Sequence, residues 1–183
     1  MSDDHANEAD KADEAARRRL REKAESYYVD LEEAWSEALP GNQSPAETVF
    51  IAHLFTAIDG FNDVKWLTDW TKRPRSGWQT SVCYFPELEG GLRATFAFEC
   101  RHDDHARQLA ILIDAHRPGE RLPVKMEMER LLVTYGFRVM SFSELEIIAA
   151  PDACRERVEH VLSDMSHGVL EDAGIIQGRG NKE

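Results

Sequence analysis

Four segments between Leu109 and Met165 alternate between two patterns, and that alternation limits the folds open to the chain. LAILIDAH is a near-continuous apolar run, as in a strand buried on both faces. After a charged stretch, Met126, Met128, Leu131 and Leu132 recur at helical spacing and Gly136 offers a stop. FRVMSF is a second strand. A helix then starts near Pro151 or Asp152, with Val158, Val161, Leu162 and Met165 along one stripe. Strand, helix, strand, helix in this order predicts neighbouring parallel strands covered by helices. At 183 residues and 42% hydrophobic content, the chain has material for one such core.

The upstream half supplies the remaining layers. From residue 12 to 41, Leu20, Ala24, Tyr27, Tyr28, Leu31, Ala34, Trp35 and Ala38 recur at helical spacing, which predicts a long amphipathic helix. PGNQSP breaks it. Ser44 is then a candidate N-cap, Pro45 suits the first helical position, and Glu47 stands three residues after the cap, so a second helix is expected from Pro45 to about Ile58. SVCYF and LRATFAFEC flank ELEGG as the two strands of a hairpin, and RHDDHAR is a polar turn into LAILIDAH. The expected order is helix, helix, hairpin, strand, helix, strand, helix, an α/β fold with a mixed sheet between helical layers. Residues 1–11 read as a disordered acidic tail, 12–41 as an N-terminal helical extension, 42–167 as the domain and 168–183 as a flexible tail.

Charge and cysteine usage narrow the function classes. The net charge is −12, and no segment is basic: residues 1–41 hold 6 basic against 12 acidic residues, and 42–166 hold 14 against 19. Proteins that coat nucleic acid neutralise phosphates with Lys and Arg, so nucleic acid is a disfavoured partner outside a local basic cleft. Cys83, Cys100 and Cys154 are widely spaced and form no C-x-x-C pair, which suggests neither a disulfide framework nor a thiolate zinc site. There is no apolar leader and no run of membrane-spanning length, so the expected location is the cytoplasm, with no membrane contact. The one basic and aromatic cluster is WLTDWTKRPRSGW. Its Trp66, Trp70 and Trp78 around Lys72, Arg73 and Arg75 suit a base-stacking groove, or a core cap of tryptophans with solvated cations.

Four stretches of the sequence carry a family resemblance: SPAETVFIAHL, LRATFAF, LAILIDAH and YGFRVMSFSELEIIAAPDACRERVEHVL. Over residues 44–165 the chain resembles the very-short-patch-repair endonuclease-like branch of the PD-(D/E)XK nuclease superfamily. The resemblance implies a restriction-endonuclease-like mixed sheet flanked by helices. SPAETVFIAHL would be the first core helix, LRATFAF the strand that usually bears an Asp, and LAILIDAH the strand bearing an acidic pair. It also implies phosphodiester cleavage at carboxylates that hold Mg²⁺, which activates a water and stabilises the pentavalent phosphate.

The matched positions depart from that pattern. Thr95 stands where the Asp is expected and Leu112 where the Glu is expected, leaving Asp114 of the pair. Lys125 and Met128 stand where an Asp and an Arg are common. The metal-ligand candidates are Asp114, Glu47, Glu99 and His116, and the catalytic candidates are Asp114, Glu99 and Lys125. Glu99 enters because alternation puts it on the same strand face as Thr95, as a migrated carboxylate; ECRHDDHAR also offers His102, Asp103, Asp104 and His105 if its turn folds towards Asp114. Structural alternatives stand beside them: a capping box for Glu47, a turn cap for Asp114, a helix-surface lysine for Lys125 and a solvated hairpin turn for the loop; His53, on the apolar helix, reads as a partly buried core histidine rather than a ligand.

The preferred reading is an endonuclease-like frame with a degenerate site, acting as a binding or interaction module. Its partner would be a protein or a second copy, met through the N-terminal helix, with no cofactor. The alternative is an active metal-dependent nuclease for DNA or RNA, using Mg²⁺ at a rearranged carboxylate site. A third class, a DNA mimic, rests only on the acidic charge.

Overall fold

The structure, a computed structural model, describes residues 43–58, 64–114 and 125–176, together with residue 18. The expected acidic tail and the 12–41 helix therefore lie outside the described residues, Arg18 apart, as does His116. The described chain is α/β: a five-stranded mixed sheet with helices on both faces. The first helix, α1, runs Pro45–Ile58. It starts where the sequence places a capping box: Ser44 Oγ accepts the Glu47 amide at 3.2 Å and Glu47 Oε2 accepts the Ser44 amide at 2.6 Å.

The strands are β1 Val64–Leu67, β2 Trp78–Tyr84, β3 Phe96–His102, β4 His105–Asp114 and β5 Phe137–Ser143, lying side by side in chain order. Strands β2, β3 and β4 form an antiparallel meander, while β1 is parallel to β2 and β5 is parallel to β4. The parallel β4–β5 pair needs a crossover, and α2, Lys125–Thr134, lies within it. Gly136, at φ +85°, ends that helix as expected. Two elements depart from the expected order: β1, whose four residues are too few for a period to register, and α3, Glu144–Ala149, opened by the capping box of Ser143 and Glu146.

The last helix, α4, runs Pro151–Asp172. It continues past the boundary expected at residue 167, and this corrects the reading of a loose tail from Gly168. The physical reason is packing: Met165 and Val169 are fully buried, and a β-carbon on Gly168 would lie 2.0 Å from the guanidinium carbon of Arg107 on β4. Glycine is the residue that lets this cation cross the helix backbone and pair with Asp172, at 3.0 Å.

The sheet's two faces are unequal. On one, α1, α3 and α4 bury Phe50, Phe96, Phe98, Leu109, Phe142 and Met165, with the Phe50 ring 5.7 Å from Phe96 and 5.4 Å from Phe142. On the other, Leu132 of α2 packs with Trp70, Ala97, Ala110 and Phe137. Truncating Phe50 to alanine would therefore cost about 3–5 kcal/mol.

Candidate functional site

The β3–β4 hairpin carries most of the candidate residues, so its register decides which of them meet. Its turn is at Asp103 and Asp104, where β3 ends at His102 and β4 begins at His105. Asp114 closes β4 at the opposite, open end, level with Ser143 of β5. Ten residues of strand rise about 33 Å at the usual 3.3 Å each, so the RHDDHAR turn cannot fold towards Asp114. That corrects the expectation of a loop site near Asp114. The turn is fixed locally instead: Asp103 adopts φ +50° and accepts the Gly77 amide on Oδ1 at 2.8 Å.

Thr95 and Leu112 lie at the open end. The Thr95 hydroxyl accepts the Ile113 amide at 2.9 Å, while its backbone donates to the Ile111 carbonyl and accepts from the Phe85 amide, both at 2.8 Å. It stitches the start of β3 to β4. A threonine does this neutrally; a carboxylate there would be buried beside apolar neighbours. Leu112 is partly buried and packs with Val139 and Met128 against the smaller core. Asp114 is exposed.

Glu47 is 1% exposed, and Oε2 accepts from both the Ser44 amide and the Tyr84 hydroxyl, the latter at 3.1 Å. Its capping role is therefore realised. Lys125 is the first residue of α2. His53, at the α1–α4 contact, approaches Asp152 Oδ1 through Nδ1 at 3.0 Å.

Glu99 is also 1% exposed, but it pairs in register with Gln108, six positions before Asp114 on β4, which separates the two acids by about 20 Å. Oε1 accepts from Arg101 Nε at 2.9 Å, Oε2 accepts from Gln108 Nε2 at 2.8 Å, and Arg73 Nε lies 3.3 Å from Oε2. The structure thus brings Glu99 together with two arginines and a glutamine rather than with Asp114. Arg73, in turn, lies over the buried Trp70 ring at 4.4 Å. Trp70 caps the core, Lys72 is solvated beside Asp69, and Trp78 is 39% exposed at the start of β2. No sequence motif singles out Arg101 or Gln108, though a hairpin centred on Asp103 and Asp104 mirrors residue 99 onto 108 and alternation puts 101 beside 99.

The electrostatics of the open end are set by capping. The Ser143 amide, with support from its hydroxyl and Arg157, holds the Glu146 carboxyl below its ordinary value of 4.5. Between the two ends, burial pushes the Cys83 thiol up to about 11.

Mg²⁺ takes near-octahedral oxygen ligands. Among the described residues, no group of three His, Cys, Asp or Glu side chains is arranged to hold a metal ion. Asp114 stands alone of the matched pair, and Glu47 and Glu99 direct oxygens to other partners, so these donors do not fit Mg²⁺. Among the described residues no helix is long and apolar enough to cross a membrane. No family model, curated protein or solved structure matches the chain.

Proposed function

We propose that the chain is an endonuclease-like frame with a degenerate cleavage site, serving as a binding or interaction module. The order α1, meander, α2, parallel β5 supports the frame, since it follows the order that the resemblance implies for the first core helix, the two motif strands and the closing elements. The observation that carries the loss of cleavage is at Thr95 and Leu112. The first spends its hydroxyl on the Ile113 amide and the second fills apolar space. Two-carboxylate chemistry would need both positions at once. The acidic balance of the chain favours a protein partner or a second copy over nucleic acid. The N-terminal helix expected to meet that partner lies outside the described residues.

The test is cleavage of plasmid, single-stranded DNA and RNA with Mg²⁺ or Mn²⁺, using the intact protein and Asp114→Ala prepared identically. The expected result is no cleavage by either. Cleavage by the intact protein that is lost in Asp114→Ala would overturn the reading in favour of an active nuclease.

A further inference from the structure

On the α2 face of the sheet, register aligns Lys65 of β1, Ser81 of β2, Glu99 of β3 and Gln108 of β4 in one row. Arg101 stands two residues beyond Glu99 on the same face, and Arg73 reaches it from the β1–β2 connection. This is a polar row beside an apolar one, because the next row holds Leu67, Cys83, Ala97 and Ala110. Two guanidiniums converge on one carboxylate. Glu99 balances one of them, so the cluster keeps an uncompensated positive charge, and the exposed Lys65 at the end of the row adds another.

Both arginines are held in place through Nε. Arg73 is also stacked on Trp70, and Arg101 donates one terminal amino group to the Asp103 carbonyl at 3.0 Å. A guanidinium has five N–H donors, so each retains donors beyond these bonds. Their side chains remain 22% and 19% exposed, so each arginine is partly open to solvent. Two prearranged forks, with an ammonium at the rim, match an oxyanion that can accept from several directions.

We propose that Arg73, Arg101 and Lys65 form a binding site for a single phosphate group, oriented by Glu99. One phosphate, rather than a length of nucleic-acid backbone, fits a small patch on a chain of net charge −12. Glu99 is a positioning residue here, since it holds the cations and does not itself contact the anion. The site lies at the closed end of the hairpin, away from Asp114, and is independent of whether the open end cuts.

The test is calorimetric titration of the full chain with inorganic phosphate at constant ionic strength, chloride replacing phosphate in the control. Saturable binding is expected, weakened at least tenfold in Arg73→Lys, which keeps a charge near Glu99 but removes the fork. Asp114→Ala should bind like the intact protein. Lys65→Gln, at an exposed position where a substitution should cost little stability, should weaken binding at least threefold and decides the matter if Arg73→Lys fails to fold. No saturable binding, or binding that Lys65→Gln leaves unchanged, overturns the proposal.

Discussion

The open and closed ends of the β3–β4 hairpin lie on one sheet yet treat charge in opposite ways. At the open end, the positions flanking Asp114 on the α2 face are a threonine that satisfies a backbone amide and a partly buried leucine packed against the smaller core, and the remaining acid is exposed. At the closed end a fully buried carboxylate gathers two cations and an amide. An exposed acid costs nothing to keep and holds nothing in place. A buried one persists only when its partners are built with it, so the buried acid marks where the fold has invested its polar groups.

The largest test of this contrast is Glu99→Gln. Removing the anion leaves two partly buried guanidiniums opposed, and we expect a loss of about 3 kcal/mol in urea unfolding, at the low end for a broken buried pair because both arginines reach solvent. Asp114→Ala should stay within about 0.5 kcal/mol of the parent, as surface substitutions do. Equal costs for the two variants would erase the distinction.

Next is Thr95→Val, which keeps shape but orphans the Ile113 amide. It should cost about 1–3 kcal/mol, and hydrogen exchange at Ile113 should accelerate, while Thr95→Ser restores most of both. A neutral Thr95→Val would mean that the hydroxyl is not the stitch. Ser143→Ala, which removes the α3 cap, should cost about 1 kcal/mol in the same assay.

Glu146 gives that cap a pH dependence. Its folded carboxyl titrates below 4.5, so its stabilisation is present above that value and is lost as pH falls through the lower folded value. The cost of Glu146→Gln, measured at pH 7, should therefore shrink on acidification below 4.5. The smallest effect concerns the three thiols, those of Cys83 and Cys100 on the sheet and that of Cys154 on α4. With Cys83, Cys100 and Cys154 all buried and their thiols all raised by burial, Ellman's reagent at pH 8 should label none of them in the native protein and all three in denaturant.

Elements with strong local signals were legible in the sequence. The Ser44–Glu47 capping box gave both the start and the chemistry of α1, the apolar run gave β4, and the stripe of α4 gave all but its last turn. What was not legible depended on contacts distant in the chain. VKWL carries no period long enough to announce an edge strand, and Gly168 reads as a helix end until Arg107 is seen crossing it. SELEI was different, since its Ser143–Glu146 spacing was readable but sits in a helix of only six residues. At the candidate site, alternation correctly put Glu99 on the Thr95 face. The length of β4 is what separates it from Asp114 and hands it to Arg73, a partner on another connection that no local pattern could announce.

If the cleavage site is degenerate, the open end should not hold the metal that the resemblance implies. Calorimetric titration of the full chain with Mg²⁺ and with Mn²⁺, beside Asp114→Ala, tests it most directly. No saturable uptake should distinguish the two proteins. Saturable binding by the intact chain that disappears in Asp114→Ala would contradict it.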